Sequence, residues 1–174
     1  MTMIPAVLAA LCTLVPATQT TQSAAPTTIV IVRHAEAVPD AGRDPVLSEA
    51  GAAHAAALAA ALADADVAAV YATQYQRTQM TGALVAAGAK LQVTVRPIEG
   101  RGDSYVAALA AHVLGAHAGR TVVIVGHSNT VPALVKALSG VEVAEIGHDT
   151  YDLMFVVTAR VPGAGSLVRA RYGR

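Results

Sequence analysis

The sequence predicts an α/β domain with a mostly parallel sheet flanked by helices in three layers. Two short apolar runs, TIVIV (28–32) and TVVIV (121–125), carry this prediction. Continuous runs of β-branched residues are typical of parallel strands that are buried on both faces. Strand-like and helix-like stretches alternate along the rest of the chain, which is the order that builds such a sheet. At 174 residues, the chain is long enough for one domain with a hydrophobic core.

Each element has its own local signal. Ser48 is a candidate N-cap, and Leu58 and Leu62 lie one turn apart in the helix that follows it. The second helix closes on Gly88, and Pro132 lies in the first turn of the last helix. A Pro-Gly-rich turn joins the last two strands, which predicts an antiparallel pair near the C-terminus. The predicted elements are strand 28–32, helix 47–65, strand 66–73, helix 76–88, strand 91–97, helix 104–117, strand 121–127, helix 130–140, and strands 151–159 and 166–172.

The N-terminal segment differs from the rest of the chain. Residues 3–17 are an apolar run that is short for a membrane span, and an uncharged polar spacer follows it. This pattern predicts a signal peptide and spacer over residues 1–26, with cleavage near Ala17 or Ala25, and a folded domain over residues 27–174. We therefore expect export to the periplasm or the medium, without stable membrane insertion after cleavage. The alternative is tethering to the membrane by an uncleaved segment.

The net charge and the cysteine content limit the binding partners and the compartment that we expect. Twelve basic and twelve acidic residues give a formal net charge of +0, which offers neither a nucleic-acid-binding face nor a polybasic membrane anchor. The single cysteine, Cys12, lies in the predicted signal peptide. A mature chain without cysteine is compatible with an oxidising compartment.

Histidine and arginine follow the ends of the predicted strands. Arg33-His34 ends the first strand, His127 ends the fourth, and Arg77 comes shortly after the strand that ends at Thr73. Because the carboxyl ends of parallel strands meet at one edge of a sheet, two imidazoles and two guanidiniums should converge there. Such a group is unfavourable unless an anion joins it, and guanidinium forks and helix N-termini both suit phosphate oxygens. The sequence therefore predicts a phosphate pocket at this edge.

Three motifs carry a family resemblance. VRHAE, YATQYQRTQMT and VIVGHSNT occur in this order, with LSEAG between the first two. Together they resemble the histidine phosphatase superfamily, and among its members the small exported bacterial phosphatases. The resemblance covers residues 28–172 and implies the fold that this superfamily shares with phosphoglycerate mutases.

The resemblance also implies roles for individual residues. His34 would be the nucleophile and form a phosphohistidine, so it must be deprotonated. Arg33, Arg77 and His127 would bind the phosphoryl oxygens and stabilise the transition state, and a protonated His127 would help. Asn129 is a weaker candidate for phosphate binding. Neither a metal nor a cofactor is expected, because the guanidiniums supply the positive charge.

Two carboxylates are candidates for the general acid. Glu99 is preferred because it follows the third strand directly, and Asp103 is the alternative. Some small family members that act on phosphorylated histidine lack this acid, because imidazole is a better leaving group, so neither carboxylate need be essential. Ala37 and Asp40 stand where mutases continue with Ser and Asn, and Ala35 replaces the common Gly after the nucleophile. These departures favour an open-pocket phosphatase over a mutase.

The sequence thus predicts a metal-independent phosphatase for phosphomonoesters or phosphohistidine, with a small phosphorylated substrate or a phosphoprotein as partner. One alternative is a non-catalytic phospho-ligand-binding protein of the same fold. Another is a metalloprotein that uses His34, Glu36, His127 and His148, although their spacing is poor for metal ligation and cysteine ligands are absent.

The remaining polar residues have structural interpretations. His54, His112 and His117 lie on helical stretches and are expected at the surface or the rim. Glu36 is expected to orient its loop or face solvent. His148 and Asp149 are expected in a surface loop, with the pocket rim as the alternative.

Overall fold

The computed structural model describes residues 25–173, so most of the predicted signal peptide and spacer, residues 1–24, lies outside the described residues. All ten predicted elements occur in the predicted order. They are β1 (Thr27–Arg33), α1 (Glu49–Ala61), β2 (Val67–Ala72), α2 (Gln76–Gly88), β3 (Val93–Val95), α3 (Gly102–Ala116), β4 (Thr121–Gly126), α4 (Thr130–Ser139), β5 (Leu153–Ala159) and β6 (Ser166–Arg171). No helix within residues 25–173 is long and apolar enough to cross a membrane.

The six strands form one sheet in the order β3-β2-β4-β1-β5-β6. Neighbours among the first four strands pair in parallel, whereas β5 is antiparallel to β1 and β6 is antiparallel to β5. The prediction of a mostly parallel sheet with a C-terminal antiparallel pair is therefore confirmed. The predicted length of the third strand is wrong. Only three of its seven predicted residues pair, because β3 is an edge strand with exposed residues at Thr94 and Val95.

Helices cover both faces of the sheet. Ile29 and Ile31 pack with buried residues of α3 and α4, whereas Val30 and Val32 pack with buried residues of α1 and α2. Successive side chains of a strand point to opposite faces, so a strand between two helical layers needs apolar residues at every position. Each such side chain contributes roughly 1.5–3 kcal/mol by its burial. The three-layer prediction is confirmed.

The start of α1 fixes the loop that follows β1. The Ser48 side chain accepts a hydrogen bond from the Gly51 N–H at 3.1 Å, as its predicted N-cap role requires. The backbone N–H of Ser48 donates to the Glu36 carbonyl at 2.9 Å. A Cβ at Gly51 would lie 2.0 Å from the same carbonyl oxygen, so the helix packs directly on this loop. At its other end, α2 closes on Gly88 as expected, and the chain turns at Lys90 in a left-handed conformation (φ 58°).

Strand register places the motifs side by side. Arg33 at the end of β1 lies opposite Gly126 at the end of β4, so His34 and His127 follow adjacent strands at the same level. The His34 N–H donates to the Gly126 carbonyl at 2.9 Å and extends the ladder by one bond. On the other side of β4, β2 ends level with it, at Ala72.

Candidate active site

The hydrogen bonding of His34 fixes its tautomer. Its Nδ1 lies 2.8 Å from the carbonyl oxygen of Ala35. A carbonyl only accepts, so Nδ1 carries the proton and Nε2 carries the lone pair. Nε2 has no hydrogen-bond partner within residues 25–173 and is not among the fully buried nitrogens that lack one, so part of its surface reaches solvent. The Ala35 N–H donates to Thr81 Oγ1 at 2.9 Å, which holds the turn after β1 against α2.

Burial keeps the His34 ring neutral. It lowers the pKa of His34 from 6.5 to about 4, and this effect outweighs the hydrogen bond to Ala35, which raises the pKa. The guanidiniums of Arg33 and Arg77 lower it further, and Glu36 opposes them. At neutral pH the ring is therefore uncharged, with Nε2 available as a nucleophile.

His127 stands beside His34, with 5.4 Å between the ring centroids. Its Nε2 lies 3.0 Å from the Thr73 hydroxyl, which is 2.9 Å from the Thr78 hydroxyl. Thr78 donates to the Tyr75 carbonyl at 2.7 Å, so Thr73 donates to Thr78 and accepts from the Nε2–H of His127. The position of His127 is thus set by a chain of buried threonines.

His127 is neutral in this structure. Burial lowers its pKa from 6.5 to about 3, and His34, Arg77 and Arg33 lower it as well. The protonated form that the resemblance implies therefore requires a nearby negative charge, such as that of a phosphate group.

Arg33 anchors a loop. Its buried Nη1 donates to the carbonyls of Gly147, His148 and Thr150 at 2.8, 2.8 and 3.2 Å, and its guanidinium carbon lies 4.2 Å from the centre of the Tyr151 ring. Its Nε is buried without a partner in the described part of the chain. One edge of the guanidinium therefore holds the loop before β5.

Arg77 is less constrained than Arg33. It is the second residue of α2, its Nη1 lies 3.9 Å from Asp44 Oδ1, and its guanidinium carbon is 4.5 Å from the centre of the Tyr75 ring. Asp44 is mainly bound to the start of the helix, because its Oδ1 accepts from the Gln76 N–H at 2.9 Å.

The predicted convergence is present in the structure. His34, His127, Arg33 and Arg77 form what we call the strand-end cluster. Each guanidinium lowers the pKa of both imidazoles, as positive charges close to both rings do.

Three other predicted residues make no hydrogen bond or ion pair with this cluster within residues 25–173. Exposed Glu99 lines a cavity of about 400 Å³ with Arg96 and His112, and no hydrogen bond or ion pair within residues 25–173 joins it to His34. Asp103 is exposed in the first turn of α3. Asn129 is exposed at the N-cap of α4 and makes no capping bond with its side chain.

A threonine shapes the second histidine loop in place of Asn129. The His127 N–H donates to Thr130 Oγ1 at 2.8 Å. A Cβ at Gly126 would lie 2.7 Å from the same oxygen, so this contact depends on glycine.

Sequence reasoning missed the supporting hydroxyls and rings of the site. The threonines could have been found, because Thr78 and Thr81 lie three residues apart on the helix that carries Arg77, and Thr73 ends the preceding strand. The contacts of Tyr75 and Tyr151 had no sequence signal.

His54, which is expected at the surface or the rim, is more buried than a surface residue. Its side chain is 15% exposed, its Nδ1 lies 3.0 and 3.1 Å from the two carboxylate oxygens of Glu36, and its Nε2 is buried without a partner in the described chain. Glu36 therefore ties the loop after His34 to α1, in agreement with an orienting role. The side chains of His148 and Asp149 are 90% and 99% exposed, as expected of a surface loop.

His112 and His117 share a partner in the core. Nε2 of His112 and Nε2 of His117 lie 3.0 and 2.8 Å from the hydroxyl of buried Tyr71. Arg96 Nη2 lies 2.8 Å from Nε2 of His112. His112 is exposed, as expected, but His117 is half-buried, and both take part in a network that we call the Tyr71 cluster.

No group of three or more His, Cys, Asp or Glu residues within residues 25–173 could hold a metal ion. The alternative set of His34, Glu36, His127 and His148 is thus not assembled as a metal site.

The model of the histidine phosphatase superfamily (branch 1) matches residues 29–98, which contain both His34 and Arg77. This stretch of the chain, from β1 to just beyond β3, is therefore similar to the histidine phosphatase superfamily. A sequence comparison with curated proteins finds no match.

Several solved structures share the fold of this chain. The protein histidine phosphatase SixA in complex with tungstate has a TM-score of 0.65 at 21% identity, over 83% of this chain and 96% of SixA. A mycobacterial glucosyl-3-phosphoglycerate phosphatase has 0.64 at 18% identity, over 76% of this chain and 90% of that one. A protein described as mycobacterial hydrolase 2 has 0.66 at 15% identity, over 86% and 93%. At these identities, the likeness establishes the fold alone.

Proposed function

We propose that the chain is a metal-independent phosphatase that acts on phosphomonoesters or phosphohistidine through a phosphohistidine intermediate on His34. The observation that carries this proposal is the unprotonated Nε2 of His34, which is open to solvent while Nδ1 is bound to the Ala35 carbonyl. A neutral imidazole beside two guanidiniums is suited to attack an anionic phosphoryl group.

The reaction has two displacements. The lone pair of His34 Nε2 forms a bond to phosphorus, and the bond from phosphorus to the leaving group breaks with its electrons on the leaving group, which takes up a proton. Water then attacks the phosphohistidine, loses a proton and releases phosphate, and the electrons of the P–N bond return to Nε2. The Nδ1–H···O=C bond stabilises the positive charge on the ring during the phosphorylated state.

The strand-end cluster supplies the phosphate site. The guanidiniums of Arg33 and Arg77 lie close to both imidazoles, and within residues 25–173 the Arg77 side chain is held only by a 3.9 Å ion pair and its ring contact. Arg–phosphate contacts are frequently bidentate, so these forks suit the non-bridging oxygens. The negative charge of phosphate would raise the pKa of His127 and make it a second donor. SixA is known as a tungstate complex, and tungstate is an oxyanion of similar shape.

The choice of substrate turns on the leaving group. An alkoxide needs a proton donor, and Glu99 remains our proposed acid, with Asp103 as the alternative. A leaving group that needs little assistance, such as the imidazole of phosphohistidine, would not require this acid. We expect Glu99→Gln to lower kcat/KM about 10²-fold for an alkyl phosphate, the lower end for general acid catalysis, and by far less for a phosphohistidine peptide. Equal losses on both substrates would contradict this role.

The test of the proposal is turnover of p-nitrophenyl phosphate and of a phosphohistidine peptide in the presence of EDTA. Rapid acid-free quench should trap an acid-labile phosphoenzyme in the wild type and not in His34→Ala. Phosphate binding without turnover would favour the non-catalytic alternative, and turnover that EDTA abolishes would favour the metalloprotein.

We also propose that residues 1–26 act as a signal peptide and spacer and that the domain is exported. The support is the short apolar run followed by an uncharged spacer. N-terminal sequencing of protein from the native host should give a start near residue 18 or 26. An intact Met1 in a cytosolic product would contradict export, and an intact Met1 in a membrane fraction would favour the tether.

A further inference from the structure

One tyrosine contacts the nucleophile and its neighbouring arginine. The Tyr151 ring centroid lies 6.2 Å from that of His34, at an interplanar angle of 53°. The guanidinium carbon of Arg33 lies over the same ring at 4.2 Å.

A second tyrosine makes the matching pair of contacts on the other half of the cluster. The Tyr75 ring centroid lies 5.4 Å from that of His127, edge to face at 85°, and the guanidinium carbon of Arg77 lies over the ring at 4.5 Å. Because His34 and His127 are themselves 5.4 Å apart, the contacts run ring to ring from Tyr151 to Tyr75.

Neither ring is held through its hydroxyl. Both tyrosines are half-buried, and within residues 25–173 neither hydroxyl makes a hydrogen bond. Tyr71 differs, since its buried hydroxyl binds two histidines. What Tyr75 and Tyr151 offer the site is the flat ring itself.

We propose that Tyr75 and Tyr151 line the leaving-group side of the pocket and select substrates whose leaving group is a flat aromatic ring, an aryl oxide or an imidazole, over aliphatic ones. This selectivity rests on the proposed function, since it concerns the leaving group of that reaction. While the cluster holds the phosphoryl group at His34, the leaving group lies in line on the far side of phosphorus and extends toward the rim. Aromatic rings associate at centroid distances of about 4.5–7 Å, the range that these rings already keep with the two imidazoles.

A purely supporting role for the tyrosines makes a different prediction. If the rings only hold Arg33 and Arg77 in place, their removal weakens phosphoryl binding and slows every substrate by the same factor. If they contact the leaving group, the loss is larger for flat leaving groups. The ratio of kcat/KM between substrates separates the two roles.

The experiment uses the full chain and four substrates: phenyl phosphate and N-phosphoimidazole, which have flat aromatic leaving groups, and methyl phosphate and acetyl phosphate, whose leaving groups contain no aromatic ring. Each variant is compared with the wild type on the same substrate, so intrinsic reactivity cancels. In Tyr75→Leu and in Tyr151→Leu, the flat-to-aliphatic ratio of kcat/KM should fall about 3- to 10-fold. Tyr75→Phe and Tyr151→Phe keep the ring and should hold the ratio within about twofold.

Each outcome of this experiment either supports or overturns the proposal. A falling ratio supports the proposal, and the substrate that loses most tells whether the ring is an aryl or an imidazole. An unchanged ratio in both leucine variants overturns it while the phosphatase proposal stands. If Tyr151→Leu does not fold, an unchanged ratio in Tyr75→Leu alone overturns it. A wild type that turns over none of the four substrates and forms no phosphoenzyme overturns the proposed function, and the selectivity with it.

Discussion

Two regions of the molecule each bring two histidines together with arginine, and they differ in what is left unbonded. In the Tyr71 cluster, Nε2 of His112 and Nε2 of His117 both bind the Tyr71 hydroxyl, and Arg96 also binds His112. In the strand-end cluster, Nε2 of His34 is open to solvent.

The two clusters differ in whether their buried polar groups have hydrogen-bond partners. Tyr71 is buried on β2, and a buried hydroxyl without a partner is costly, so the histidines around it serve a structural need. In the strand-end cluster, by contrast, the buried Nε of Arg33 has no hydrogen-bond partner within residues 25–173. The two imidazoles beside it are uncharged. The residue types are the same in both regions. The candidate site is distinguished by the lone pair of His34 Nε2, which has no hydrogen-bond partner within residues 25–173.

The largest expected difference between the clusters is in the effect of replacing one histidine from each. We expect His34→Ala to abolish turnover, because the nucleophile is lost. The melting temperature should stay near that of the wild type, because the ring is uncharged and its one hydrogen bond within residues 25–173 is to the adjacent residue. His117→Ala should lower the melting temperature and leave kcat/KM within about threefold, since it removes a partner of a buried hydroxyl. Steady-state kinetics and thermal melts check both. Retained turnover in pure His34→Ala would refute the nucleophile.

The two arginines of the strand-end cluster should separate binding from folding. Arg77→Ala should lower kcat/KM by about 10²–10³-fold with little change in stability, because only a 3.9 Å ion pair and a ring contact are lost. Arg33→Ala should lose activity and also about 2–4 kcal/mol of stability, because three loop carbonyls lose their buried donor. Urea unfolding of both variants gives the comparison. Equal stability losses would show that the loop anchor is unimportant.

The pH dependence should reveal the lowered pKa values of the strand-end cluster. His34, with a pKa of about 4, stays neutral down to that pH, so kcat/KM corrected for substrate ionisation should hold its plateau below pH 6 and fall near pH 4. The pKa of both site histidines is lower in the folded than in the unfolded chain. The unfolded chain therefore binds more protons below about pH 6.5, and stability falls as the pH drops from there toward 3.

The pH profile of kcat/KM tests the prediction for His34, and urea melts between about pH 6.5 and pH 3 test the prediction for stability. An acid limb at pH 6.5 would mean that the His34 ring is as well solvated as in a peptide.

The smallest effect belongs to the Tyr71 cluster. Tyr71→Phe removes the hydroxyl that two histidines share and should cost about 1–2 kcal/mol with kcat/KM unchanged. Tyr105→Phe is a matched control, because Tyr105 is half-buried and its hydroxyl makes no hydrogen bond within residues 25–173. Urea melts of the two variants should differ. A drop in activity for Tyr71→Phe would mean that the two clusters are coupled.

The fold could be predicted because its signals are local. The continuous apolar runs of β1 and β4, the Ser48 cap and the Pro-Gly turn each depend on neighbours in the chain. The meeting of His34 and His127 followed from the rule that sites form at strand ends. The short β3 was missed because its length depends on having a partner on one side only.

The parts of the site that escaped prediction depend on distant contacts. Arg33 binds carbonyls more than a hundred residues away, at Gly147 and beyond, and no local pattern shows such a contact. His54 was placed at the surface because the helix around it is nearly all alanine, and a helix of small residues does not show which side is buried. The bond from Thr73 to His127 joins the end of β2 to the loop after β4, which only the strand order brings together.

Gly126 has a consequence for how the sequence tolerates variation. A methyl group there would meet Thr130 Oγ1 at 2.7 Å and Val131 Cγ2 at 3.2 Å, and it would push the start of α4 away from the His127 amide. Gly88, by contrast, has open space where its methyl would be. In a saturation library sorted for phosphatase activity, position 126 should return glycine alone, whereas position 88 should accept alanine and larger residues. Alanine would thus be harmless at one glycine and inactivating at another because of a single hydroxyl oxygen.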